Sequence, residues 1–531
     1  MTRVRVRLRP AVQATQTPDG LHLRGWASSC TLSGGSGLWK VWQRLAPQLE
    51  AGLPRADLEV PPGTAEPVRA AVALIVEQLW EHDMLVEMPE WGADAPAPEV
   101  AAWLESAAAE PVEAWRRLRA VTVVVTGRGL LGDAAVRAVE AVGVAVLRAG
   151  STTPVVGDLS TAAPQGPEDV RTAPIDRAEA ARATLATPAS PATLSAGDLT
   201  LQAACGTEVG YALPPTTTLT SVNTEATTRI TARLGLTGDP TEPLATLVAC
   251  AAVHRLLSTV AGLPDPATTL GDSTYPMVLV ARTNPLTATY HPLLDGTPDP
   301  DPWRALDALT DEELGPVDTP EFGDLPQVPA NLATAGNALG IGTTADQARL
   351  NAALHALKSD GVLGLDDTHA RGAALRHAVR HHRGEPADAD EWTSDPTAHR
   401  WWKALTARFG VAAVIRTERL APGVYRAEIG NGRRVLAWAV EATAADAVAF
   451  AALAATGYAQ AGRDGTAHLN GAAPQQPKDQ PEWVTRQWHW PADVRDREER
   501  LQQAIARIPG VRVVPTELDP ELRAAGLKAY R

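Results

Sequence analysis

Cysteine is nearly missing: Cys30, Cys205 and Cys250 are the three in 531 residues. They are too scattered for a disulfide framework or a CxxC zinc pair, and they fit a reducing cytosol, so a cytoplasmic location is expected. Lysine is scarce too, at five positions against 48 basic residues in all, so the cations are almost entirely arginine. With so much alanine, glycine and proline, this reads as codon bias. An excess of positive charge is also lacking. The net charge of −14 argues against nucleic acid as a partner, which calls for a basic face to displace counterions. No uninterrupted apolar run reaches the ~18 residues of a membrane-spanning helix, so no membrane partner is expected. The start, MTRVRVRLRP, lacks the apolar core of a secretory signal. No G-x-S-x-G and no Walker A lysine occurs, and no pair of acids has a recognisable acid/base spacing.

What is present is a globular composition, 45% hydrophobic and 21% charged, enough for two to four domains with cores of their own. Residues 3 to 9 alternate strictly. Val4, Val6 and Leu8 take one face, and Arg3, Arg5, Arg7 and Arg9 the other, which predicts a strand with a basic outer face. Asp19-Gly20 marks a turn, and strands are expected at Leu21 to Gly25 and Ser28 to Ser33. Leu38, Val41, Trp42, Leu45 and Leu49 recur at helical spacing. Residues 65 to 82 carry a second stripe, Val68, Val72, Ile75, Val76 and Leu79. Three strands and then helices within about 90 residues make a winged-helix-like unit. Residues 91 to 118 read as a linker with a helix.

The segment VTVVVTGRGLLGDAA fits G-x-G-x-x-G between a strand and a helix, with Gly127, Gly129 and Gly132 as its glycines. A dinucleotide site adds an acid about 20 residues on, where this chain has Arg148 and Gly150. A Rossmann-type turn that binds nothing is therefore favoured over an occupied site. Residues 151 to 245 give poor element signals, 245 to 262 a buried helix, and 296 to 330 a linker. An α/β domain is expected from 331, with helices at 340 to 358, 368 to 383 and 443 to 457. His377, His381 and His382 lie at chelating spacing but among arginines, so a solvated basic face is favoured over a metal site. His291 reads as a satisfied structural histidine.

On these residues, VRVRLRP…DGLHLRGWASSCTLSGGSGLWKVWQRLAP resembles the RiPP recognition element, a PqqD-like leader-peptide-binding module. VTVVVTGRGLLGDAAVRAVEAVGVAVLRAG resembles the nucleotide-binding core of ThiF-type, ubiquitin-activating-like enzymes. LGIGTTADQARLNAALHAL looks like a YcaO motif, with Asn351 and His355 where that family places groups facing ATP and magnesium. The layout is similar to the ocin-ThiF-like F proteins, the partners of azoline-forming YcaO cyclodehydratases.

The resemblance implies an α/β multidomain chain. Residues 1 to 90 would form the PqqD-type winged helix, 119 to 300 a degenerate Rossmann-like ThiF domain, and 331 to 531 an α/β, YcaO-like relic. It implies no cofactor, no metal and no catalytic residue. A precursor leader peptide would add as a strand on Ser28, Ser29, Cys30, Thr31 and Leu32. Val72, Ile75, Val76 and Leu79 would form the other wall, and Arg5 and Arg7 would attract acidic leader residues. The partners would be that peptide and a separate YcaO subunit, with a homodimer left open. An active ThiF-like enzyme that adenylates the peptide is the alternative.

Overall fold

The computed structural model describes residues 4–58, 63–149, 191–217, 221–270, 275–294, 302–388, 390–432, 434–463, 467–469 and 490–531. The chain is a mixed α/β protein that divides into two compact units, Met1–Tyr290 and His291–Arg531.

The first unit opens with β1 (Arg5–Leu8). Next come β2 (Gln13–Thr17), β3 (Gly20–Arg24), β4 (Ser29–Ser33) and helix α1 (Ser36–Ala51). β5 (Leu53–Pro54), helix α2 (Glu66–Glu81) and β6 (Leu85–Glu87) complete this lobe. The strands form two sheets, β5-β1-β6 and β2-β3-β4. Val6 and Leu8 of β1, Leu21 and Leu23 of β3, and Leu32 of β4 meet Leu38, Trp42 and Leu49 of α1 and Ile75 and Leu79 of α2 in one core. The alternation therefore gives a strand over Arg5–Leu8, with Arg3 outside the described residues, and Arg7 and Arg9 do not lie on a free face. Arg7 pairs with Glu105 of helix α3 (Pro98–Ala107). Buried Arg9 donates to the Glu105 and Ala108 carbonyls at 2.7 and 2.8 Å and to Asp83 at 2.8 Å. The expected linker is thus an ordered part of the unit, made of α3 and helix α4 (Pro111–Ala120).

A seven-stranded mixed sheet follows, in the order β13-β12-β11-β10-β9-β7-β8. β7 (Thr122–Thr126), helix α5 (Gly129–Val142) and β8 (Ala145–Ala149) are a parallel β-α-β unit. β9 (Ala192–Ala196), β10 (Leu199–Cys205), β11 (Val209–Ala212) and β12 (Met277–Thr283) run antiparallel, each to its neighbour, and β13 is Leu286–Pro292. Only one strand pair is thus Rossmann-like. The helix Glu242–Ala261 is long and apolar enough to cross a membrane by length and composition, but most of it is buried in this core. Its Arg255 is fully buried, bonded three times to Asp265 (2.6, 3.0 and 3.2 Å) and once to the Ala212 carbonyl.

In the second unit, the hairpin β14 (Asn331–Ala335) and β15 (Ala338–Gly342) carries the helix Ala345–Ala356. Gly340 permits that contact, because a Cβ there would run into the Ala348 carbonyl. A five-stranded sheet, β17-β18-β19-β20-β21 with β17 at Glu385–Pro386, packs the alanine-rich helix Ala444–Gln460 against Ala427, Ile429, Ala437 and Ala439. Its strands include β18 (Val414–Ala421), β19 (Val424–Gly430), β20 (Val435–Glu441) and β21 (Ala467–His468). A second core gathers Val424, Trp438 and Val440 with Leu375 and Val379 of the helix Asp367–Val379 and Leu501 and Ile505 of the helix Ala492–Ala506. These three pieces also share Arg376. It bonds Glu498 twice at 2.7 Å, Glu441 twice at 3.2 Å and the Val440 carbonyl at 2.9 Å, all of it buried.

Arginine, unlike lysine, offers a planar fork that meets a carboxylate with two bonds. At Arg255 and Arg376 the choice has a chemical reason that codon bias does not supply. Replacing Arg376 by leucine leaves two carboxylates buried without their cation. We expect a loss of about 3–5 kcal/mol, read as a lower urea midpoint, with partial recovery when Glu498→Gln is added. Burial alone would raise the Glu498 carboxyl, but Arg376 and Gln502 hold it below its ordinary range. Its contribution is therefore present above the unfolded-state pKa of about 4.3 and is lost as pH falls through the lower folded value. Acid titration followed by tryptophan fluorescence should show this loss in the wild type and a smaller one in Glu498→Gln.

Candidate peptide-binding edge

β4 has one neighbour. The Gly25 N–H donates to the Ser28 carbonyl at one end of the β3–β4 ladder, and the Gly34 N–H to the Asp19 carbonyl at the other, both at 2.8 Å. Facing residues in an antiparallel pair alternate between bonded and unbonded. Leu23–Cys30 and Leu21–Leu32 are therefore bonded pairs, and Arg24–Ser29, His22–Thr31 and Gly20–Ser33 are not. The backbone N–H and C=O groups of Ser29, Thr31 and Ser33 point away from β3, along an edge that no strand occupies among the described residues. Side chains alternate in the same way. Leu32 is buried, Cys30 is half-buried, and Ser29, Thr31 and Ser33 are exposed.

The C-terminal end of α2 lies at the start of this edge. Ser28 Oγ donates to the His82 carbonyl at 2.6 Å. Burial and the nearby Glu81 carboxylate raise the Cys30 thiol above its ordinary pKa, which turns it away from nucleophilic chemistry. Of the expected wall, Ile75 and Leu79 are fully buried, and like Leu32 they hold the lobe together from behind. Val72 and Val76 are half-buried. At 100° per residue they share a flank of α2 with Trp80, whose ring lies under the Arg55 guanidinium at 5.2 Å, toward the β5 side. The opposite flank carries Leu74, Gln78 and Glu81. The sequence gives no sign of these three, because Leu74 falls off the apolar stripe and the others read as solvated.

Of the arginines expected to attract acids, Arg5 is exposed and donates to the Gly52 carbonyl at 2.7 Å, while Arg7 is held by Glu105. Arg7 is therefore spoken for inside the unit, a correction to its reading as a rim charge.

The glycine turn has the expected strand–turn–helix setting. Gly127 and Gly129 have φ of 142° and 78°, and a Cβ on Gly132 would meet the Gly127 carbonyl oxygen at 2.8 Å. Gly132 thus lets the turn pack on itself, Gly127 lies against Ala192, and Gly129 has open space beside it. Arg148, where a dinucleotide fold places an acid, reaches back to Asp133 and lies 3.5 Å from the Gly127 carbonyl. It sits across the turn.

In the second unit, Asn351 Nδ2 donates to the Ile341 carbonyl at 2.8 Å and His355 Nδ1 lies 3.2 Å from the Leu339 carbonyl, so both fasten their helix to β15. His355, His369, His377 and His468 line a cavity of about 170 Å³. His377 is exposed, like His381. It stands edge-on to Trp438 and His468, with centroids 5.0 and 4.6 Å away. Desolvation, Arg380 and His355 push it down to about 4. Burial likewise pushes His355, His369 and His468 down. Neutral imidazoles attract no phosphate, and the cavity offers little oxygen for magnesium. Among the described residues no group of three or more His, Cys, Asp or Glu is placed to hold a metal ion. His291 is buried, 3.0 Å from both Asp311 oxygens.

No protein-family model matches the chain, and no curated protein matches it. Among solved structures it is similar to a heterocyclase in complex with substrate and cofactor, with a TM-score of 0.49, 12% identity, and 99% of this chain and 94% of that one covered. It is also similar to E. coli MccB with ATP, with a TM-score of 0.33, 10% identity, and 54% and 96% covered. For E. coli MccB with MccA the TM-score is 0.34 at 10% identity, with 55% and 98% covered.

With Arg148 across the glycine turn, neither ATP nor NAD should stabilise the full chain. A site with a Kd near 10 μM would add about 2.7 kcal/mol at 1 mM ligand, a shift of several degrees in a thermal scan. A flat midpoint is the expected result for the wild type.

Proposed function

We propose that this chain captures the leader of a ribosomal precursor peptide as an extra strand on β4 and presents the rest of that peptide to a separate YcaO-type enzyme. That enzyme would use ATP to close azoline rings, placing the chain in thiopeptide or linear azole-containing peptide synthesis. The observation that carries the reading is the outward set of backbone groups on Ser29, Thr31 and Ser33, beside α2. Strand addition uses such an edge for affinity and the adjoining side chains for specificity.

The energetics say what else is needed. Pairing those backbone groups contributes about 0.5–1.5 kcal/mol net per bond, while association costs at least several kcal/mol. Micromolar affinity corresponds to about −8.2 kcal/mol. The backbone alone falls short, so peptide side chains must bury themselves between Cys30 and α2.

The rest of the chain acts as a scaffold. Residues 119 to 300 would be a ThiF-like domain whose turn is covered by Arg148, and 331 to 531 a YcaO-like relic in which Asn351 and His355 are engaged with backbone carbonyls. Holding the leader raises the effective concentration of the core peptide at a docked enzyme, and this chain contributes no catalytic residue.

Proline separates strand addition from mere folding. At Thr31 it removes an N–H that faces the empty edge, which an edge strand tolerates. At Cys30 it removes an N–H bonded to β3. We expect Thr31→Pro to lower affinity for a labelled leader at least tenfold, by fluorescence anisotropy with the full chain, at nearly unchanged melting temperature. Cys30→Pro should lower the melting temperature. Full leader affinity in folded Thr31→Pro would sink the proposal. The probes are leader peptides of the precursors encoded beside this gene.

A further inference from the structure

The Ser28–His82 bond ties the start of β4 to the end of α2. From that point β4 runs away toward Ser33, and α2, read backwards, passes from Glu81 through Gln78 to Leu74. At 1.5 Å per residue the helix covers about 10 Å from Glu81 to Leu74, roughly three residues of an extended strand at about 3.3 Å each.

The chemistry changes along that path. Leu74 is 36% exposed, an apolar side chain without full cover. Glu81 is exposed at the Ser28 end, close enough to act on the Cys30 thiol, with Gln78 Nε2 donating to it at 2.5 Å and no cation paired with it among the described residues. Trp26, 39% exposed, sits in the turn that leads into β4 at the same end. The neighbouring cations lie elsewhere. His22 and Arg24 project from the opposite face of the sheet, with His22 bonded to Thr31 at 2.9 Å. Arg69 stands on the other flank of α2, paired with Glu66.

We propose that Glu81 selects a lysine or arginine in the bound strand, placed on the same face as an apolar residue that packs on Leu74. An extended peptide alternates its side chains, so the two residues are an even number of positions apart. Glu81 attracts the cation, and the Trp26 indole adds a surface on which an alkyl-ammonium or guanidinium group can rest. The inference rests on the strand-addition reading and reverses the charge expected from Arg5 and Arg7. Glu81 is a specificity-determining residue here, and it leaves the backbone pairing untouched.

The test is anisotropy with the same labelled leader peptide and the full chain, using wild type, Glu81→Lys, Glu81→Gln and Thr31→Pro. A second peptide set has each lysine or arginine changed to glutamate. Exposed pairs are weak, so Glu81→Lys should weaken the parent peptide about three- to tenfold, Glu81→Gln less, with the gap narrowing at high salt. One glutamate-substituted peptide should prefer Glu81→Lys to the wild type. If Glu81→Lys and wild type bind every peptide alike while Thr31→Pro still loses binding, charge selection falls and strand addition stands. If the wild type binds none of the leaders, both fall.

Discussion

A strand with one neighbour leaves half of its backbone polar groups unpaired within its own sheet, and most of the functional reading follows from where that happens. In β4 the unpaired groups belong to Ser29, Thr31 and Ser33. Proteins usually blunt such an edge with a charge, a proline or a bulge. β4 carries none of these: its residues are Ser, Cys, Thr, Leu and Ser. The strand is also anchored at both ends, by the Ser28–His82 and Gly34–Asp19 bonds. A small, uncharged edge anchored at both ends is the kind of backbone that strand addition uses.

Each unit is held together by charges turned inward. Arg9 reaches across to the end of α3, Arg255 clamps Asp265 to the helix Glu242–Ala261, and Arg376 joins two helices to β20 through two glutamates. Such clusters are costly to break, because the partner left behind is a buried charge. They fix which elements meet rather than adding much net stability. In the first unit this holds β1 against α3, so the lobe that carries β4 is braced by the segment that follows it.

Two other places in the chain have side chains of a chemical kind gathered together. The glycine turn keeps the backbone shape of a phosphate loop, but an arginine stands where an acid would select a ribose. The histidines of the second unit are gathered beside Trp438 and pushed toward their neutral forms.

The sequence by itself determined the local elements. Alternation at residues 4 to 8, the continuous apolar run before Gly127, and the helical stripes of α1 and α2 depend on periods of 2 and 3.6, and these are properties of the backbone. β2 escaped because QATQT is polar on both faces, and β9 to β11 because Ala, Thr and Ser give no alternation. Tertiary structure alone decided the pairings. β1 leaves β2 to β4 and joins β5 and β6, Arg7 and Arg9 find α3, and the flank of α2 that meets β4 is set by the Ser28–His82 and Arg55–Trp80 contacts. A helix's period shows that it has an apolar side. Which flank of that side borders an open edge depends on contacts between residues 54 and 25 positions apart in the chain, and no local pattern encodes them.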